Sequence, residues 1–280
     1  MTAVSGGLQP SAILPSAVRP SAAGQGLVRT SLILAGRVVR TFLRSRVMVI
    51  STVLFPLLQL FMLLAAFRLL VHSATGEAYV VHLAPLMALV TAWSAILSSS
   101  IGFWTDLNSG IFTRLRAMPI NMSSVLIGRV IGDLVRIMSA AAVIVLCALI
   151  PGFRLSRGVV AAVGFFLLIA LFGAMCSAVS IAVGMSAQHP GIIVKWVQLP
   201  TLTLTLMSSG YVPLHAFPGW IQPLVAVNPI SVNTEALVGL SHGGPLLVPL
   251  IGSLAWIAFF AAVASVVARR RLRVLLDGRA

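Results

Sequence analysis

The sequence predicts an all-α polytopic membrane protein. Six transmembrane helices follow an amino-terminal amphipathic helix, with a short cytoplasmic helix between two spans and short broken helices before the last. Three observations predict this. Of 280 residues, 59% are hydrophobic and only 9% charged, against about a quarter charged in a soluble domain, so charge cannot cover a water-facing surface. The apolar residues form unbroken runs of about twenty, the length of a membrane helix and not the ten-residue alternation of a barrel strand. The 19 Lys and Arg far outnumber the five Asp and Glu and sit mainly at the ends of apolar runs. There they set topology and meet lipid headgroups, and no nucleic-acid partner is implied.

Residues 1–26 are rich in Ser, Ala, Pro and Gly and lack the basic start and apolar run of a signal peptide. They are expected to form a disordered cytoplasmic tail. Residues 27–46 form an amphipathic interfacial helix: Arg29, Arg37, Arg40 and Arg44 share one side, and Leu27, Leu34, Val38 and Phe42 the other. The spans are 47–71, 80–103, 124–150, 159–187, 192–207 and 246–268, and residues 269–280 are a basic tail. The fifth span reaches only about 24 Å. Pro56 and Pro200 are expected to kink their helices.

Orientation follows from the bases. With both termini cytoplasmic, sixteen of the nineteen lie inside, and only Arg68, Arg154 and Arg157 lie outside.

Catalytic chemistry finds little support. A Walker A loop needs Gly before its Lys, but Val194 precedes Lys195, the chain's single lysine. The five His are scattered, most near predicted span ends, with no metal-ligand spacing. Cys147 and Cys176 fall inside spans and are read as packing residues. No catalytic or metal-binding residue is assigned, and the chain is expected to be a non-enzyme. An intramembrane serine protease could draw on Ser98–Ser100 or Ser208 and Ser209, but no His lies deep in the sixth span as base. A stand-alone ion-coupled secondary transporter is the main alternative. It calls for acids at mid-membrane, and none of Glu77, Asp106, Asp133, Glu235 and Asp277 is central to a span. Asp133 comes nearest. Arg129 lies four residues before it and Arg136 three after, which suits a buried ion pair or a substrate or proton site.

Two segments carry more information. Asp106–Pro119 predicts a short helix that Pro119 ends. Its Ile111, Phe112, Leu115 and Met118 are rimmed by Arg114 and Arg116, which marks either a docking surface or a helix lying on the membrane. Ser208–Pro245 has no Lys or Arg, but carries Pro213, Pro218, Pro223, Pro229 and Trp220. It predicts short broken elements partly buried at the outer interface, with Trp220 as headgroup anchor.

These segments resemble a known family. Gly110, Ile111, Phe112, Arg114, Leu115, Arg116, Met118 and Pro119, then Leu126, Ile127, Gly128, Arg129 and Asp133, are similar to the first cytoplasmic loop of type-2 ABC exporter permeases. Ser209, Gly210, Tyr211 and Pro213, then Phe217, Pro218, Trp220, Pro223, Asn228 and Pro229, resemble their outer segment before the last span. The daunorubicin/doxorubicin-resistance subgroup is the nearest in kind. Where that loop often has Glu near its start, the nearest acid here is Asp106. The resemblance implies a permease subunit of an ATP-driven exporter in a bacterial cytoplasmic membrane. A separate ABC ATP-binding subunit would carry ATP and Mg, a second permease chain, identical or homologous, would complete the pore, and the cargo would be an amphipathic drug, polyketide or lipid. Residues 108–118 would be the coupling helix, joined by Asp106 and Pro119. Tyr211, Pro213, Trp220, Asn228 and Pro229 would shape an outer gate.

Overall fold

A computed structural model describes residues 46–75, 79–109 and 122–276, with residues 35, 36, 39, 40 and 44 before them. Within these residues lie eight α-helices: α1 (Arg46–Thr75), α2 (Val80–Asn108), α3 (Met122–Ala148), α4 (Val159–Ser186), α5 (Pro190–Leu206), α6 (Gln222–Val227), α7 (Pro229–Ser241) and α8 (Leu247–Leu276). A single 3-10 turn, Leu214–Ala216, precedes α6. No strand occurs among the described residues.

Four of these helices are long and apolar enough to cross a membrane: α2, α3 from Ser124, α4, and α8 to Arg273. Among the described side chains of α1 an apolar stretch runs over Leu54–Phe67, and α5 has 17 residues. The bounds of α2 and α8 differ most from the predicted ones. α2 continues five residues past Phe103, and α8 eight past Ala268. Neither extension contains Gly or Pro, the residues that end helices, and both are polar enough to leave the bilayer while staying helical. α1 and α5 stay helical through Pro56 and Pro200.

α2 is the centre of the bundle. Other helices bury 72% of its apolar stretch, against 17% for α8 at the periphery. α2 packs chiefly along α4 and α3, and α8 along α4 and α7. The core joins Leu60 and Leu64 of α1, Leu83, Met87 and Trp93 of α2, Phe165 and Phe172 of α4, and Ile257 of α8. Outward, the bundle presents Leu54, Phe55 and Met62 of α1, Val163 and Leu167 of α4, and Ile251, Phe259 and Val263 of α8. Apolar residues inside and out suit lipid as the solvent.

In lipid, association rests on close packing and not on expulsion of water, so small residues matter where helices touch. The α2–α4 contact shows this at Gly184. A Cβ added there would stand 2.9 Å from the Ser100 carbonyl oxygen and 3.1 Å from the Phe103 ring. Backbone cannot yield as a side chain can. Gly184→Ala is therefore expected to destabilise the fold by about 1–3 kcal/mol. Gly219→Ala, with open space around it, should be near neutral. Unfolding of both variants in mixed micelles checks this, and equal stabilities would mean that α2 and α4 are not in close contact.

Candidate functional site

The Arg-rich end of the bundle, where α2, α4 and α8 finish and α3 begins, carries a belt of buried charge. Asp106 is in the last turn of α2, and Arg129, Asp133 and Arg136 follow one another up α3. Arg129 Nη1 donates to Asp106 Oδ2 at 2.9 Å, and its Nη2 donates to the Ser99 carbonyl at 2.7 Å. Its guanidinium also lies 5.1 Å from the centre of the Phe103 ring, where the ring face attracts a cation. Deeper in, Arg136 Nη2 donates to Asp133 Oδ1 at 3.2 Å and Nη1 to Ser98 Oγ at 3.0 Å. Asp133 Oδ2 accepts from Ser99 Oγ at 2.5 Å and Ser177 Oγ at 3.0 Å. Ser180 Oγ lies 3.1 Å from Ser99 Oγ.

Exposure falls inward along the belt. The Arg129–Asp106 pair is 11% and 34% exposed, and the Arg136–Asp133 pair 7% and 4%. The inner pair is therefore the one that demands full hydrogen bonding. Three helices supply its partners: Ser98 and Ser99 from α2, Ser177 from α4, and the charges from α3. The sequence places Arg129, Asp133 and Arg136 on one helix face. Folding instead pairs Asp133 with Arg136 and sends Arg129 across to Asp106, which the sequence assigned to the loop. Sequence reasoning weighs Ser98 and Ser99 only as a candidate nucleophile and misses Ser177 and Ser180 of α4 altogether. The signal for the role they take is a hydroxyl inside an apolar run, which favours a polar partner in lipid.

The opposite end carries a different device. Asn228 is buried between α6 and α7. Its Nδ2 donates to the Leu204 and Met207 carbonyls, both at 2.8 Å, and its Oδ1 accepts from the Ile230 amide at 2.9 Å. One side chain thus serves the carbonyl end of α5 and the amide end of α7. Pro229 at the first position of α7 needs no amide partner.

The depth of this joint follows from α8. Trp256 lies about 13 Å along α8 from Leu247, and its Nε1 donates to the Val227 carbonyl. Ser253, about 9 Å along, donates to Asn233 Oδ1. At the far end of α7 the Ser241 carbonyl accepts from Ser156, in the turn before α4. α7 therefore climbs from within the bundle to its surface, and α5 stops where α7 starts.

Tyr211 follows α5 and meets α1 and the start of α2 at this end of the bundle. Its Oη accepts from Gln59 Nε2 at 2.7 Å, and its carbonyl accepts from the Tyr79 hydroxyl at 3.0 Å. Burial pushes both phenols up to about 12; at Tyr211 the neighbouring Tyr79 adds to this and Gln59 opposes it. The bond that the Tyr79 hydroxyl donates to the Tyr211 carbonyl needs its proton, so it is complete below the ordinary value near 10 and is lost as pH rises through about 12, whereas the Tyr211 oxygen accepts from Gln59 in either state. Ser209 Oγ donates to Glu235 Oε1 at 3.0 Å. Pro213 precedes the 3-10 turn, and Trp220 is exposed.

Gly110, Ile111, Phe112, Arg114, Leu115, Arg116 and Pro119 lie outside the described residues, as do Arg29 and Arg37 of the interfacial helix. Arg40 and Arg44 are helical and exposed. Among the described residues, no three His, Cys, Asp or Glu side chains come together as a metal site would require.

Comparison with known proteins now decides the family. Residues 30–240, which contain the charge belt and the Asn228 joint, match the ABC-2 type transporter family. The chain belongs to the ABC-2 type transporter family. This ABC-2 permease is 28% identical, over 87% of its length and 88% of the relative's, to a probable doxorubicin resistance ABC transporter permease protein, DrrC, of Mycobacterium tuberculosis. It is 30% identical to the daunorubicin resistance ABC transporter permease protein DrrB1 of Streptomyces coeruleorubidus, over 74% of this chain and 73% of that one. A shorter likeness, 30% over 57% of this chain and 55% of the relative, links it to the doxorubicin resistance permease DrrB of M. tuberculosis. With permease relatives and several apolar helices, this ABC-2 chain is a multi-pass membrane protein.

Proposed function

We propose that this chain is the membrane subunit of an ATP-driven exporter. It works with a separate ATP-binding subunit, which carries ATP and Mg, and with a second permease chain. Both termini are cytoplasmic, α1 and α5 complete the set of six spans, and the cargo is an amphipathic compound of the drug, polyketide or lipid kind. The relatives named for doxorubicin and daunorubicin resistance support that class.

One observation carries the mechanism. The Arg129–Asp106 pair joins the end of α2 to the start of α3, and the segment 110–121 leaves and returns between them. A push on that segment by a closing ATPase is delivered to a clasped base. The inner Asp133–Arg136 pair and its serines then pass it to α2 and α4 together, as a rigid-body shift. Residues 27–46 lie on the membrane beside this base, and the outer joint at Tyr211 and Asn228 is where cargo leaves.

Leu115→Asp or Phe112→Asp is expected to abolish co-purification of the ATPase and to cut transport at least tenfold. Membrane insertion of the permease should be unchanged. The measurement is affinity purification of the tagged chain in mild detergent with mass spectrometry of its partners. Normal transport with a bound ATPase would overturn the docking assignment. Isolation of the chain alone, with an ion gradient driving flux in liposomes, would favour the secondary transporter.

A further inference from the structure

Between α3, α4 and α8, at the Arg-rich end, runs an open cleft of about 190 Å³. Its walls are apolar: Leu126 and Val130 from α3, Ile181 from α4. Room is made by Ala178 of α4 with Ala264 and Ala268 of α8. At its mouth stands Arg269, with Arg270, Arg271 and Arg273 on the same two turns, all exposed. Among the described residues none of the four forms a salt bridge to a carboxylate. The nearby Arg129 is already neutralised by Asp106, so the mouth keeps its positive charge.

Depth fits the two halves to two kinds of chemistry. From Leu247, Ala264 to Ala268 lie about 26–32 Å along α8, and Arg269 and Arg273 about 33 and 39 Å. The hydrocarbon core of a bilayer is about 30 Å thick and the headgroups lie beyond it. The cleft is therefore at acyl-chain depth, and the arginines are at phosphate depth.

We infer that this cleft is a binding site for an anionic phospholipid, with one acyl chain against Leu126, Val130 and Ile181 and the phosphate held by Arg269 and Arg273. The charge rules out the other candidate occupants. A cationic amphiphile is repelled at the mouth. A zwitterionic lipid gains less from the arginines. A second copy of the chain has little acid to offer them: of its five acids, Asp106 and Asp133 are held in the belt, Glu235 and Glu77 belong to the opposite end, and Asp277 is a single carboxylate beside four arginines of its own chain. The site does not depend on coupling to an ATPase. A lipid seated there fills the gap between the peripheral α8 and the α3–α4 pair, and so ties α8 to the bundle.

The test uses the purified full chain, stripped of lipid in detergent, with dioleoylphosphatidylglycerol or dioleoylphosphatidylcholine added back. Native mass spectrometry and the thermal midpoint are read together. The anionic lipid is expected to stay bound and raise the midpoint, and the zwitterionic lipid to do neither. Arg269→Gln with Arg273→Gln removes two exposed charges and should weaken phosphatidylglycerol by about fivefold per charge, roughly thirtyfold in all. Ala268→Phe fills the cleft and leaves every arginine, and should also expel the lipid. If that variant fails to fold, the arginine pair decides alone. Equal retention of both lipids, or no effect of the arginine pair, would overturn the assignment. So would glycerol phosphate raising the midpoint as much as the whole lipid, since the cleft would then contribute nothing. Efficient crosslinking of Ala268→Cys between two chains in the presence of phosphatidylglycerol would give the cleft to a second copy.

Discussion

Asp133→Ala should destabilise this permease by about 3–5 kcal/mol, the usual cost of removing one partner from a buried ion pair. The carboxylate is 4% exposed and takes three donors, Arg136, Ser99 and Ser177. Without it the Arg136 guanidinium, itself 7% exposed, faces a low-dielectric interior and keeps Ser98 Oγ and the Ala95 carbonyl as neutral acceptors. Two hydroxyls also lose their acceptor. Asp133→Asn keeps the shape and one acceptor but not the charge, and should cost less than Ala. The informative comparison is the double variant Asp133→Leu with Arg136→Leu, which removes both charges and fills the space. Replacing a whole buried pair by apolar residues is often near neutral or stabilising, so the double variant should recover most of the stability. It should not recover transport if the belt passes movement between helices. Unfolding of the purified variants, with transport by intact cells, separates the two effects. A loss below about 1 kcal/mol for Asp133→Ala would show that water reaches the pair.

Asn228→Ala is expected to be nearly as damaging, at about 3 kcal/mol or more. The amide has two N–H donors and one oxygen, and all are used: two for carbonyls of the α5 end, one for the first turn of α7. Alanine leaves three backbone groups open, about 13 Å below the start of α8 by the rise of that helix, where each unsatisfied group costs about 1–3 kcal/mol. Asn228→Asp discriminates further. It keeps the acceptor for the Ile230 amide but sets a carboxylate against two carbonyl oxygens, so it should be no better than alanine. A cap that served α7 alone would make aspartate the better of the two. Thermal unfolding of both variants decides between them.

Much of the fold is legible in the sequence, because bilayer thickness sets one length for every crossing helix and leaves apolar runs of that size. Helix ends are less legible. Hydropathy marks where a helix leaves lipid, not where it stops, so α2 runs on to Asn108 and α8 to Leu276. Pairing is less legible still. Local spacing offers Asp133 two arginines, and only the packing of α2 on α3 shows that Arg129 goes to Asp106. Arg157 makes the same point from the other side. It counts against the charge rule as a base at the sparsely charged end, yet its Nη1 donates to the Gly239 carbonyl at 3.1 Å. There it serves the carbonyl end of α7, where the helix dipole favours a cation. The loop residues 110–119, on which docking rests, lie outside the described residues.

The shared amide at Asn228 also bears on how the chain is made. α5 is synthesised before Asn228, so this 17-residue helix first forms with last carbonyls that have no partner from this joint. Asn228 follows Met207 by 21 residues, and until it is synthesised nothing seats that end. The fifth helix therefore settles late, together with α7, and a nascent chain ending between the two would leave the Leu204 and Met207 carbonyls without the partner that Asn228 supplies.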